Sequence, residues 1–316
     1  MTLTPGKRPN QGFDPEQSEL ARNPEKLHHY IHLLEAALGH GAKIVGMLEI
    51  GSFAKGEAVD TSDVDTRVYV TLPAAYLFNV DQTPPEAQPA YTAFLAHAGL
   101  LPLQIYTWAD FNIPEIKRIS QQVGCPIHFG LVDQRYAAFE LAHLDQFASL
   151  EYSFLFQSNI LYDPQNFLAQ TRRALSGKIY PTLVALYTAQ ALDRLAPRIY
   201  DFLQPHPLDR ENIEWSGQIE WVNMAVRCVR NAVAAKSYGS TGLMLYKKPE
   251  ILQFYRQHLP DDVALVQQLY AWKTDHATRA AMVKAFTVDP APFFATFRSL
   301  MSPLASLVAK VRDLTL

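Results

Sequence analysis

The chain has 316 residues, of which 48% are hydrophobic and 19% charged, with a formal net charge of -3. That balance excludes an intrinsically disordered chain, and the length suffices for the core of one large or two ordinary domains. The charge offers no pointer to nucleic acid, whose partners usually carry a basic face, and no apolar run approaches the ~18 residues that span a bilayer.

Residues 1–22 are expected to form a loose tail. Met1 to Glu16 is polar, carries Pro5, Pro9 and Pro15, and lacks the apolar centre of a signal peptide, so a cytoplasmic protein is the default expectation. Asn23-Pro24 is a helix start, a capping side chain followed by proline at the first helical position. Leu27, Tyr30, Ile31, Leu34 and Leu38 recur at helical spacing up to Gly39. His28, His29 and His32 on that helix read as a solvated face.

A strand is predicted over 43–50, a Gly-Ser turn at Gly51-Ser52, and an acid-bearing strand over 63–71. Residues 72–90, with four prolines, read as a loop. A short helix near 90–98, a strand over 103–108, a helix over 113–123 and a strand over 126–132 follow. His128 in that last strand reads as a structural histidine.

From about Arg135 the pattern turns helical. Phe139 to Leu161 fits a long helix ending near Asp163-Pro164, and further helices are expected at about 180–203, 211–236, 249–258, 262–285 and 291–314. The expected organisation is α+β: a mixed α/β part over 23–140 and an all-helical bundle over 141–316. Cys125 and Cys228 form no C-x-x-C pair and read as buried thiols.

The stretch Gly51 to Asp65 carries the chemistry. Strand alternation puts Asp63 and Asp65 on one face, where paired carboxylates repel unless a cation lies between them. Mg²⁺, which takes hard oxygen ligands and bridges to phosphates, is the natural partner. The Gly-Ser turn allows backbone N–H groups to approach a phosphate closely.

This stretch, Gly51-Ser52, ten intervening residues and then Asp63-x-Asp65, resembles the nucleotidyltransferases of the DNA polymerase β superfamily. Pro102-Leu103-Gln104-Ile105, then Asn223 to Arg230, Gly242 and Lys247-Lys248, extend the likeness in order towards aminoglycoside nucleotidyltransferases. The resemblance implies a nucleotidyltransferase domain followed by a helical bundle. It implies Mg²⁺ held by Asp63 and Asp65, and transfer of a nucleoside monophosphate, AMP from ATP, to a hydroxyl of a small, aminoglycoside-like acceptor. Gly51, Ser52, Lys55, Ser62, Arg67 and Gln104 would line the nucleotide site, with Arg230, Lys247 and Lys248 reaching it from the helical part. Neither a membrane nor nucleic acid is an expected partner, and a monomer or homodimer is expected.

Two residues depart from that pattern. Gln104 stands where the family has a third carboxylate, and an amide neither accepts a proton nor binds a second Mg²⁺ well. Arg67 shares the face of Asp63 and Asp65 and adds a permanent positive charge. Glu49, Asp110, Asp133 and Glu151 are the candidates for a replacement acid. The alternatives are nucleotidylylation of a protein or tRNA acceptor, of toxin–antitoxin type, and nucleotide binding without turnover.

Overall fold

The computed structural model describes residues 16–39, 41–59, 62–71, 76–78, 88–98, 104–106, 113–142, 155–175 and 210–316. The chain divides into two compact units, Met1–Lys178 and Ile179–Leu316.

The first unit is mixed α/β. Its helix α2 (Pro24–Leu38) follows a four-residue helix α1 (Glu19–Arg22), and the Asn23 side chain caps α2 by accepting the Lys26 N–H at 3.1 Å. The apolar stripe Leu27, Tyr30, Ile31, Leu34 and Leu38 is buried, as its helical spacing predicts. Strand β1 (Lys43–Glu49) is buried along nearly its whole length, which suits a strand with neighbours on both edges.

After one helical turn, α3 (Gly51–Ala54), the chain returns as β2 (Val64–Thr71), antiparallel to β1 with Glu49 opposite Thr66. The next segment carries β3 (Tyr76–Phe78), α4 (Gln88–His97), β4 (Gln104–Tyr106) and α5 (Ile113–Val123). β3 and β4 pair in parallel as a separate two-stranded sheet. Strand β5 (Ile127–Asp133) then lies parallel to β2, and α6 (Gln134–Ala142) follows it. Strand β6 (Asn159–Tyr162) runs antiparallel to the free edge of β1, giving the sheet order β5-β2-β1-β6.

The two faces of this sheet differ. Val64, Val68 and Val70 of β2 and Ile127, Phe129 and Leu131 of β5 pack with the α2 stripe and Ile119 of α5 in one core. On the opposite face, Tyr69 meets Phe167, the first residue of α7 (Phe167–Leu175), edge to face at 5.8 Å. Asp163 caps α7, its carboxylate accepting the N–H groups of Leu168 and Ala169 at 3.1 and 2.9 Å.

The second unit is helical among its described residues: α8 (Arg210–Thr241), α9 (Lys248–His258), a 3₁₀ turn (Pro260–Asp262), α10 (Val263–Thr274), α11 (His276–Val288) and α12 (Pro290–Asp313). Its core joins Val226, Val229 and Val233 of α8 with Ile251 and Tyr255 of α9, Leu269 of α10 and Leu304 and Leu307 of α12. The buried Tyr255 hydroxyl donates to the Val229 carbonyl at 3.1 Å. No helix among the described residues is long and apolar enough to cross a membrane.

Four expectations are corrected. The long helix expected from Phe139 to Leu161 does not reach its expected end, because Asn159–Tyr162 is a strand; residues 143–154 lie outside the described residues. The outer edge of β1 needs a partner for its backbone groups, and Asn159 adds a side-chain bond from Nδ2 to the buried Glu49 carboxylate at 2.8 Å. The sheet therefore extends past the boundary expected near 140. The tail is not loose to residue 22, because Leu20 is fully buried and the Ser18 N–H donates to Glu49. The single helix expected over 262–285 is interrupted at Asp275, whose carboxylate caps α11 by accepting the Thr278 N–H at 2.7 Å. The helix expected over 180–203 lies outside the described residues, as does most of the 72–90 loop.

Candidate metal centre

The sequence between β1 and β2 folds into a tight cradle. The Gly51 backbone has φ +72°, which side chains other than glycine's adopt only at a cost. A Cβ there would overlap the Asp65 carboxylate outright, with Asp65 Cγ at 2.8 Å and its Cβ at 2.9 Å. Only glycine lets this turn lie against that carboxylate. The Ser52 carbonyl accepts the N–H groups of Lys55 and Glu57, closing the turn behind it. Ser62 closes the return, its hydroxyl accepting the Val59 N–H at 2.9 Å just before Asp63.

Two backbone bonds bring the chemistry together. The Ile50 N–H donates to the Asp65 carbonyl, and the Val64 N–H donates to Pro126, so the end of β1 and the starts of β2 and β5 meet at one place. In the parallel register Asp65 lies opposite His128, and Arg67 opposite Gly130. His128 Nδ1 sits 3.5 Å from Asp65 Oδ1, and ligand atoms of Asp63, Asp65 and His128 all lie within 4.8 Å of one another. The His128 side chain is 77% exposed and that of Asp65 30%. His128, expected as a structural histidine, thus lies largely exposed beside Asp65.

Beneath the sheet a hydrogen-bond chain fixes this strand pair. The buried Thr66 hydroxyl donates its single proton to the His128 carbonyl at 3.3 Å, so at 3.1 Å the Tyr30 hydroxyl must be the donor to Thr66 Oγ1.

The electrostatics follow from crowding. Burial and the neighbouring Asp63 push Asp65 above the usual carboxylate range, while His128 and Lys55 oppose the shift. Such a pair is stabilised by a cation placed between its members. Beside it lies an open cavity of about 410 Å³ lined by Ile50, Asp65, Arg67, His128 and Gly130. The Arg67 side chain is largely buried and crosses Gly130, where any Cβ would collide with its guanidinium.

The remaining predicted site residues lie on other elements. Gln104 lies on β4, in the two-stranded sheet rather than in the sheet carrying Asp65. Lys247 opens α9, whose Glu250 carboxylate accepts the N–H groups of Tyr246 and Lys247 at 3.0 and 2.9 Å. Lys248 Nζ donates to Thr274 Oγ1 at 2.8 Å and lies 5.9 Å from the Tyr270 ring centre, tying α9 to α10. Arg230 is buried within α8, whereas Arg227 is exposed.

Of the replacement acids, Glu49 is fully buried and engaged by Ser18 and Asn159. Asp133 pairs with Arg135 at 2.6 Å at the far end of β5. Asp110 and Glu151 lie outside the described residues. The member of the cluster that sequence reasoning passed over is His128. Its only local signal is its place as the polar member of Ile127-His128-Phe129, which puts it on the face opposite the core.

Comparison of the chain with protein-family models, with curated proteins and with solved structures finds no match in any of the three.

Proposed function

We propose that the first unit is a divalent-metal-dependent nucleotidyltransferase that moves a nucleoside monophosphate, AMP from ATP, to a hydroxyl of a small molecule. The observation that supports this reading most is the packing of the Asp65 carboxylate against the Gly51 turn, with Asp63 alongside. The turn, which only glycine permits, holds that carboxylate at the rim of the open cavity. The donor set, two carboxylates and an imidazole beside an open cavity, fits a divalent cation.

When bound, such a cation supplies charge neutralisation on the phosphate oxygens and orients them for in-line attack. Asp63 and Asp65 would hold it, the Gly51-Ser52 turn and Lys55 would face the phosphates, and Arg67 would add a fixed positive charge within the cavity. The new bond joins the acceptor oxygen to the α-phosphorus as the bond to the β-phosphate bridge oxygen breaks. Pyrophosphate leaves, and the hydroxyl proton passes to water. The amino-sugar character of the acceptor rests on the family resemblance alone.

Incubation with α-labelled ATP, Mg²⁺ or Mn²⁺ and a panel of aminoglycosides and other polyols tests the proposal. Label should reach an acceptor with the wild-type protein and not with Asp65→Asn. A second reading, nucleotide binding without turnover, is favoured by the fact that the third member of the cluster is a histidine and not an acid. Calorimetric binding of ATP with no transfer to any acceptor would support that reading against the first.

A further inference from the structure

We propose that His128 is a direct metal ligand, making the centre a two-carboxylate, one-imidazole site selective for a first-row transition-metal cation such as Mn²⁺ over Mg²⁺. The proposal concerns the metal centre of the function proposed above, but it is tested without nucleotide. It rests on the register that sets Asp65 opposite His128 on adjacent parallel strands. It rests also on the clustering of Asp63, Asp65 and His128 ligand atoms within 4.8 Å.

The spacing suits a shared ion. Ligand atoms ~2.1 Å from one cation lie roughly 3–3.5 Å apart when adjacent and about 4.2 Å apart when opposite. The separation of 3.5 Å between His128 Nδ1 and Asp65 Oδ1 is long for a hydrogen bond but normal for two neighbouring ligands. The widest separation, up to 4.8 Å, closes with a small rotation of the exposed Asp63 or His128 side chain.

The backbone beneath is prepared for that role. The Thr66 hydroxyl, itself bonded by Tyr30, donates to the His128 carbonyl from the core side, so the strand carrying the ring is fixed while the ring itself projects into the open. The cavity that begins at Asp65 and His128 leaves room on the same side for further ligands from water or substrate.

Chemistry then sets the preference. Mg²⁺ favours all-oxygen shells and sheds water reluctantly, whereas imidazole nitrogen suits Mn²⁺, Co²⁺ and Zn²⁺ increasingly well. An exposed imidazole beside two carboxylates therefore tilts selection towards the transition-metal ions.

The test uses the full-length protein, Mn²⁺ and no nucleotide. Binding is followed by electron paramagnetic resonance and Mg²⁺ by competition, with electron spin-echo modulation reporting any ¹⁴N bonded to the ion. The wild type should bind Mn²⁺ tenfold or more tighter than Mg²⁺, in order-of-magnitude terms, and show imidazole ¹⁴N coupling. His128→Ala should lose the coupling and most of the preference, and because the side chain is exposed its thermal unfolding should match wild type. His128→Asp should keep divalent binding, lose the coupling and shift the preference to Mg²⁺.

Mn²⁺ bound by the wild type without ¹⁴N coupling, or coupling that persists in His128→Ala, overturns the proposal. So does wild type that binds no Mn²⁺. Nitrogen-coupled Mn²⁺ in a protein that transfers no label would sink the functional reading and leave this one standing. Label transfer by a protein whose metal shows no nitrogen would do the reverse.

Discussion

Gly51→Ala is the most discriminating single substitution in this molecule. Two costs separate at this position. The first is the backbone: alanine at φ +72° loses about 1–2 kcal/mol, offset by the ~0.4–1 kcal/mol that it gains by narrowing the unfolded ensemble. The second is the collision with Asp65, whose Cγ and Cβ would stand 2.8 and 2.9 Å from the new methyl. If the Asp65 carboxylate stays, overpacking adds roughly 1–3 kcal/mol. If it rotates away, the stability loss falls back to about 1 kcal/mol, and metal affinity drops by an estimated 10–100-fold or more, as for the loss of a ligand's support. Gly124→Ala supplies the control within the same unit. Its φ is +75°, and a Cβ there meets only Lys26 Nζ at 3.8 Å, an ordinary contact. Urea unfolding followed by circular dichroism, together with Mn²⁺ titration of both variants, separates the two outcomes. Gly124→Ala should lose about 1 kcal/mol and bind as wild type does. A Gly51→Ala protein that matches Gly124→Ala in stability and wild type in metal affinity would refute the close packing of turn and carboxylate.

Three further predictions concern the fold. Thr66→Val should cost about 1–3 kcal/mol, because it strands the buried Tyr30 hydroxyl, whereas Tyr30→Phe should cost only about 0.5–1.5 kcal/mol. The double variant should be no worse than Thr66→Val alone, and strictly additive losses in urea unfolding would break the proposed chain. Burial raises the Cys125 thiol to about 11 and the Cys228 thiol to about 12, so neither forms appreciable thiolate at pH 8. Iodoacetamide should label neither cysteine of the native protein and both after unfolding; fast native labelling would contradict their packing. Burial alone would raise the Glu35 carboxyl, but the Lys43 ammonium at 2.8 Å and the Ile44 N–H at 2.9 Å outweigh it, and the group is held below its ordinary value. A depressed carboxyl stabilises the fold above its unfolded value of about 4.3 and loses that contribution as pH falls through the folded value. Glu35→Gln should therefore remove up to about 1 kcal/mol at neutral pH and flatten the acid limb of the stability profile. An acid limb as steep as the wild type's would assign the effect elsewhere.

Local chemistry alone determined much of this molecule. Asn23-Pro24 and the stripe from Leu27 to Leu38 define α2 because a cap, a first-turn proline and a helical repeat agree over one short segment. The alternation that puts Asp63, Asp65 and Arg67 on one side was also legible, because a strand has a period of two whatever it pairs with. Pairing is different, since it depends on residues remote in the chain. Asn159–Tyr162 carries a helical pattern and becomes a strand because β1 offers an open edge and Glu49 a buried acceptor, both more than a hundred residues away. The Gly-Ser turn and its two acids pointed to a candidate cation site from sequence by themselves. Only the parallel register of β2 and β5 decided that the third side chain beside them is His128 and that Gln104 belongs to another sheet. A one-residue change in that register would have turned His128 to the opposite face, and no local propensity encodes the choice.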